Sequence, residues 1–250
     1  AMTEPHGSDP PLAGRVALVP GGARRTGRAI VLALAAAGAD VVVHHRRSAE
    51  AAAEVVAEVQ RLGRRSLALR VDLLDAPATE SGFAEAAAQL GRLDILINNA
   101  AGIVWKPLEA LDVAEWHRSI DETLHLTHHA CRAALPWMRR QGFGRIVNLI
   151  DVDADALRAV PMVTPYKIGK TGVLLLTRTL AVTEAPHGIT VNGVSPGTLA
   201  NSERRPPLER IPAGRYGNPE EVARAVLFLV DPASGYITGT NIKVSGGYLI

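Results

Sequence analysis

Short apolar runs alternate along the chain with longer segments whose apolar residues recur at helical spacing. The apolar runs predict seven strands, at residues 15–19, 40–44, 66–71, 93–97, 144–150, 189–194 and 241–244. The longer segments predict helices over residues 25–37, 49–62, 78–90, 113–141, 166–185 and 219–231. This alternation is typical of an α/β fold with a doubly wound parallel sheet of about seven strands flanked by helices. Ligands of such sheets bind beyond the carboxyl ends of the strands, so we expect the functional residues in the loops there.

The first predicted strand leads through a glycine turn directly into a helix. Gly21 and Gly27 mark this turn, and Arg25 stands where an intervening glycine is common. Glycines let the backbone approach a ligand closely, and the helix start offers unpaired N–H groups to an anion. The turn therefore fits the pyrophosphate of a dinucleotide, and it equally fits a purely structural bend.

The loop after the second strand is basic where a carboxylate is common in dinucleotide-binding proteins. It reads His44, His45, Arg46, Arg47, Ser48, whereas the usual acidic residue hydrogen-bonds the adenosine ribose. Two arginines and a serine can instead bind a 2′-phosphate through charge-assisted hydrogen bonds. The loop favours NADP over NAD, with a solvated basic loop as the alternative. The histidines predict no metal site, because no third ligand stands at a diagnostic spacing.

Length, charge and cysteine content indicate one globular domain and argue against several classes of protein. The 250 residues, 47% of them hydrophobic, predict one domain over residues 13–250 after a loose, disordered tail over residues 1–12 that lacks the apolar core of a signal peptide. A net charge of +2 without a dense basic block argues against a nucleic-acid partner, and no apolar run is long enough for a membrane span. Cys131 is the single cysteine, which excludes an internal disulfide and suits a cytoplasmic protein.

The strongest candidate for chemistry is the pair Tyr166 and Lys170. Four residues apart on a predicted helix, the two side chains lie on one face about a turn apart. A nearby ammonium favours the phenolate, so we expect Lys170 to lower the pKa of Tyr166. A carbonyl reductase needs such an acid, because negative charge grows on the carbonyl oxygen as hydride reaches the carbon.

A series of ordered motifs over residues 14–248 resembles the short-chain dehydrogenase/reductase family. The motifs are Gly21 to Gly27, Asp72, Asn98-Asn99-Ala100, Tyr166-x-x-x-Lys170, Asn192-x-Val194-x-Pro196-Gly197, Gly217-x-Pro219-Glu220-Glu221-Val222 and the ending from Gly239 to Gly247. The resemblance implies a Rossmann fold, a nicotinamide cofactor, a small-molecule substrate and commonly a homotetramer. It also implies that Tyr166 is the acid/base and that Lys170 holds the nicotinamide ribose.

The cofactor-binding residues that follow from these patterns come from every loop at one end of the sheet. They are Gly21, Arg25, Thr26, Gly27, His45, Arg46, Arg47, Ser48, Asp72, Leu73, Asn99, Ala100, Ala101, Tyr166, Lys170, Pro196, Gly197 and Thr198.

Within the family, the chain is most similar to pteridine reductases, which implies NADPH. These enzymes carry an arginine in the glycine loop, as Arg25 does here, a His-x-x-Arg-Ser run, and an aspartate in place of the catalytic serine. Counting from the preceding strand places that aspartate at Asp151, whereas the usual interval before the tyrosine places it at Asp153. We select Asp151, because a loop absorbs extra residues more readily than a strand shifts register. An aspartate beside an oxyanion can donate only when protonated, so we expect burial to keep Asp151 neutral.

Three positions depart from the family pattern. Thr123 stands where an asparagine helps to organise a proton-relay water, and threonine can also hold a water. Ile103 stands where pteridine reductases stack an aromatic ring on the pterin, and Trp105 is its candidate replacement. We therefore assign Ile103, Trp105 and Tyr166 to the substrate site. The segment that closes over substrate in relatives, residues 197–212, is short and rich in arginine.

Three functions fit the sequence. The first is an NADPH-dependent oxidoreductase that reduces a small carbonyl or conjugated C=N substrate, as pteridine reductases do, with Asp151, Tyr166 and Lys170 as its catalytic residues. The second is a ketoreductase similar to 3-oxoacyl-[acyl-carrier-protein] reductase, which would favour a serine at position 151. The third is an NADPH-binding regulatory protein that has lost catalysis, against which the intact Tyr166 and Lys170 argue.

Overall fold

A computed structural model of the chain describes residues 9–249 and contains one parallel sheet of seven strands. The strand order is β3-β2-β1-β4-β5-β6-β7, with β1 in the middle region, where Ala17 pairs with Val41 on one side and with Ile95 on the other. The strands are β1 (Val16–Val19), β2 (Asp40–His45), β3 (Ser66–Arg70), β4 (Ile95–Asn98), β5 (Gly144–Leu149), β6 (Ile189–Pro196) and β7 (Asn241–Val244). The predicted seven-stranded, doubly wound sheet is confirmed.

Helices cover both faces of the sheet. They are α1 (Arg25–Ala36), α2 (Ala49–Arg61), α3 (Ala76–Leu90), α4 (Val113–Ile120), α5 (Leu126–Gln141), α6 (Thr164–Glu184) and α7 (Pro219–Val230). One apolar core joins the sheet to α1, α2 and α7, and a second joins the opposite face to α3 and α5. Because both faces are covered, β1, β4 and β5 are buried at every residue, which is why short apolar runs predict strands here.

Local side-chain chemistry sets several helix starts. The Asp75 carboxylate accepts from the Ala78 N–H at 2.9 Å, so α3 begins two residues before its predicted start. Reciprocal capping boxes start α4, between Asp112 and Glu115, and α7, between Asn218 and Glu221.

The single helix predicted over residues 113–141 is interrupted. A π-helical turn, Asp121–His125, separates α4 from α5. Within it, the Thr123 hydroxyl lies 2.7 Å from the Ser119 carbonyl oxygen and 3.2 Å from that of Gly102. Periodicity over a long segment does not reveal one inserted residue, and such turns occur frequently at functional sites.

The predicted tail is wrong at its last residues. Leu12 is buried in the core, and its N–H donates to the Ala37 carbonyl at 2.9 Å. Residues 1–8 lie outside the described residues. Over residues 9–249, no helix combines the length and apolarity that crossing a bilayer requires, and no three His, Cys, Asp or Glu side chains cluster as metal ligands would.

Candidate active site

The glycine turn after β1 is held by contacts that leave room only for glycine. Gly21 has a φ of +69°, and a Cβ on Gly27 would overlap the Gly21 carbonyl oxygen. The Asn99 side chain, which follows β4, donates to that same oxygen at 3.2 Å. Arg25 also adopts a left-handed φ, of 53°. The turn is thus held against the end of β4, and Gly27 lies in the first turn of α1.

His44 at the end of β2 ties the glycine turn to β3. Its Nδ1 accepts from the Gly21 N–H at 3.2 Å, and its Nε2 lies 3.0 Å from the Val71 carbonyl oxygen, to which it donates. This pattern requires the neutral ring with the proton on Nε2. Burial lowers the pKa of His44 to about 4, so the ring is neutral at physiological pH.

Two adjoining cavities follow the carboxyl ends of the strands. The first, here named the β2 cavity, is lined by Gly21, His44, Arg46, Asp72, Leu73, Leu74, Ala100, Ala101, Gly102, Glu122 and Leu126. The second, named the Tyr166 cleft, is lined by Arg25, Thr26, Asn99, Ala101, Leu149, Ile150, Asp151, Tyr166, Lys170, Pro196, Gly197, Leu199, Asn201 and Ser202. Ala101 lines both cavities, and the two together are here named the groove.

Tyr166 and Lys170 lie one turn apart on α6, as their spacing predicts. The Lys170 ammonium donates to the Leu149 carbonyl at the end of β5, at 2.5 Å, and lies 5.7 Å from the Tyr166 ring centre. Burial lowers the pKa of Lys170 to about 8, while the charge of Asp151 opposes that shift. The expected lowering of the Tyr166 pKa is wrong for this structure: burial raises that pKa, and the Asp151 charge raises it further. Tyr166 is therefore a neutral phenol.

Asp151, and not Asp153, lines the Tyr166 cleft. The Asp151 carboxylate accepts from Lys167 Nζ at 2.7 Å and from the Val152 N–H at 2.9 Å. Asp153 is buried and contacts Arg158 and Lys167 instead. Asp151 thus lies in the cleft while it contacts Lys167, and its expected neutral form stays a prediction. Lys167 was missed from the sequence, although it directly follows the tyrosine.

Thr123 does not face the cleft. Its side chain is fully buried, its hydroxyl is taken up by backbone carbonyls, and a Cβ on Gly169 of α6 would lie 2.8 Å from its own Cβ. The buried hydroxyl is therefore not placed to hold a water in the cleft. Because Gly169 has no side chain, α6 packs closely against Thr123 just before Lys170.

Known proteins that are similar to this chain identify its family. Residues 21–249 match a family model described as "Enoyl-(Acyl carrier protein) reductase". The 3-oxoacyl-[acyl-carrier-protein] reductase of Synechocystis sp. is 36% identical over 96% of this chain and 98% of its own length. The chain belongs to the short-chain dehydrogenase/reductase family. A short-chain dehydrogenase/reductase variant of Serratia marcescens superposes with a TM-score of 0.88 at 33% identity, covering 96% of this chain and 100% of that one.

Members of this family use a nicotinamide cofactor, as in the structure of a 7α-hydroxysteroid dehydrogenase complexed with NADH, which is 31% identical and covers 98% of both chains at a TM-score of 0.89. In this short-chain dehydrogenase/reductase, the start of α1 fits the pyrophosphate of such a cofactor. No side chain caps the start of α1 among the described residues, which leaves its first N–H groups for a pyrophosphate. Arg25 and Thr26 at that helix start line the Tyr166 cleft, and Gly21 in the turn before it lines the β2 cavity.

Several predicted residues lie outside the groove of this short-chain dehydrogenase/reductase. His45 points to the opposite face of the sheet from His44, because successive side chains of a strand alternate, so His44 is the residue that reaches the cavity. The other predicted residues that line neither cavity are Gly27, Arg47, Ser48, Thr198, Ile103 and Trp105.

The short segment after β6 closes one side of the cleft. Its residues Leu199, Asn201 and Ser202 line the cleft and were missed from the sequence. Two exposed contacts connect it to neighbouring loops: Glu203 pairs with Arg25 at 3.2 Å, and Arg204 stacks on the Trp105 ring at 4.8 Å from its centre. Trp105 therefore contacts the segment and does not line the cleft, and Ile103 is half exposed.

Proposed function

We propose that this chain is an NADPH-dependent reductase of a ketone, with a 3-oxoacyl thioester as the first substrate class. The observation that carries this proposal is the meeting of Asp151, Tyr166 and Lys170 in one cleft at the ends of β5 and β6. A nicotinamide cofactor, when bound, supplies the hydride that reaches the carbonyl carbon. Tyr166, a neutral phenol, donates the proton to the carbonyl oxygen, and the Leu149 carbonyl holds Lys170 one turn away.

The assignment of NADPH is supported by the charge at the end of β2. Arg46 lines the β2 cavity at the position where a carboxylate would favour the free ribose of NAD. Arg47 and Ser48 follow it at the start of α2. A guanidinium at this position suits a 2′-phosphate, which it can bind through two parallel hydrogen bonds.

The substrate class is supported by the names of the relatives. Proteins 36% identical to this chain are called 3-oxoacyl-[acyl-carrier-protein] reductases. A conjugated C=N ring, as in pterins, is the second candidate, and it is supported by Asp151 and Arg25 in the cleft. The half-exposed Ile103, which offers no stacking ring, weighs against this second candidate.

One experiment tests both candidates. Oxidation of NADPH is followed with a 3-oxoacyl thioester, a dihydropterin, a quinone and a diketone, for the wild type, Tyr166→Phe and Asp151→Ser. We expect turnover of the thioester, a loss of at least about a hundredfold in Tyr166→Phe, and retained turnover in Asp151→Ser, which carries the residue usual in the family.

Other outcomes of this experiment separate the alternatives. Turnover of the dihydropterin alone, lost in Asp151→Ser, would favour the second candidate. Tight NADPH binding without turnover of any substrate would contradict the reductase proposal and favour a regulatory protein.

A further inference from the structure

An ion pair spans the mouth of the β2 cavity. Arg46 Nη1 donates to Glu122 Oε1 at 2.9 Å, and both side chains line the cavity, with 40% of Arg46 and 19% of Glu122 exposed. Arg46 comes from the end of β2, whereas Glu122 comes from the π-helical turn between α4 and α5. The same guanidinium is thus the proposed partner of the cofactor's 2′-phosphate and the present partner of a carboxylate.

The backbone fixes Glu122 in this position. The Gly102 N–H donates to the Glu122 carbonyl at 2.9 Å, and a Cβ on Gly102 would overlap the Glu122 carboxylate. Glycine at position 102 therefore makes the space that this carboxylate occupies. Asp72 lines the same cavity, so two carboxylates and one guanidinium line it.

We propose that Glu122 determines cofactor specificity by competing with the 2′-phosphate for Arg46. This inference rests on the proposed use of NADPH. A 2′-phosphate brings nearly two negative charges to a guanidinium that Glu122 already neutralises. Binding of NADPH must therefore separate Arg46 from Glu122 or hold like charges close together, and both cost free energy. NADH brings no charge to this position, so Glu122 lowers the affinity for NADPH alone.

The test measures dissociation constants rather than turnover. Fluorescence titration gives the Kd of NADPH and NADH, and competition with 2′,5′-ADP and 5′-AMP isolates the adenosine half. The proteins are the wild type, Glu122→Gln, Glu122→Ala, Arg46→Met and the double variant Arg46→Met/Glu122→Gln. The matched control is Glu80→Gln, which removes a similar surface carboxylate that is paired with Arg132 at 2.9 Å and lines neither cavity.

We expect both Glu122 variants to bind NADPH and 2′,5′-ADP roughly three- to tenfold more tightly, in keeping with the worth of a partly exposed ion pair and the removal of a like charge. The Kd of NADH and of 5′-AMP should stay within about twofold. The gain should be smaller in the Arg46→Met background, where only the repulsion between Glu122 and the phosphate is left to remove. Glu80→Gln should change none of these values.

Three results would overturn the inference: an unchanged NADPH Kd, an equal gain for NADH, or a gain that is as large without Arg46 as with it. A wild type that binds NADH more tightly than NADPH would instead overturn the proposed cofactor, whatever the Glu122 variants do. The two failures are therefore distinguishable in one set of titrations.

Discussion

At the scale of single residues, His44 links the stability of the glycine turn to pH. Its pKa is about 4 in the folded chain against 6.5 in a free side chain, so between these pH values the unfolded chain binds a proton that the folded chain does not. Stability from this group is complete above pH 6.5 and is lost as the pH falls towards 4. The shift corresponds to about 3 kcal/mol.

We expect His44→Asn to remove this pH dependence, because its amide can accept from Gly21 and does not titrate in this range. Urea unfolding at pH 7 and pH 4 should show the wild type losing about 3 kcal/mol more unfolding free energy than the variant. An identical loss in the two proteins would contradict this prediction, because it would mean that the folded chain binds a second proton on the His44 ring as readily as the unfolded chain does.

The residues that sequence reasoning missed share one physical feature: each acts through a contact distant in sequence. The run of two histidines predicts a strand end but not which ring points to the cavity, and the ring that lines it belongs to His44 and not to the predicted His45. Lys167 belongs to the site only because it forms ion pairs with Asp151 and Asp153, which lie on a loop distant from it in sequence. By contrast, Tyr166 and Lys170 are four residues apart on one helix, so their sequence spacing is enough to place them together.

At the scale of elements, the glycine turn between β1 and α1 can form only because Gly27 has no side chain. We expect Gly27→Ala to destabilise the chain by about 1–3 kcal/mol, because its Cβ would overlap the Gly21 carbonyl and displace the turn. NADPH binding should weaken in parallel, as measured by fluorescence titration beside urea unfolding.

The control for this change is Gly82→Ala in α3, whose Cβ would meet the end of Leu69 at 3.3 Å and the Val71 side chain at 3.9 Å. Because alanine favours helix more than glycine does, this variant should be as stable as the wild type or more so, by up to about 1 kcal/mol. Equal stability of the two variants would show that the turn adjusts to a side chain at position 27.

The sequence predicts an element well where its hydrophobic pattern or a helix cap defines it. It predicts an element poorly where a contact with a distant part of the chain changes it. The seven strands follow from their apolar runs, because both faces of the sheet are buried. The π-helical turn does not, since it depends on the packing of Thr123 against Gly169 of α6. Glu122 reaches the β2 cavity from that turn. Helical periodicity predicts neither the turn nor the position of Glu122, so the sequence did not indicate the proposed specificity residue.

At the scale of the whole molecule, α6 carries an exposed apolar stripe with a seven-residue spacing. Ile168, Leu175 and Val182 are 46%, 67% and 76% exposed, and residues seven apart lie on one face of a helix. This stripe supports the homotetramer that the family resemblance implies, because association would remove it from water. We expect light scattering after size-exclusion chromatography to give four times the mass of one chain.

Leu175→Glu should reduce that mass, since a buried, unpaired carboxylate opposes association while the folded chain tolerates it at an exposed position. Leu62→Glu, which changes a leucine that is 47% exposed at the end of α2, should leave the mass unchanged. A wild type with the mass of one chain would contradict the tetramer. A tetramer that persists in Leu175→Glu would place the interface elsewhere, and the stripe on α6 would then have no part in assembly.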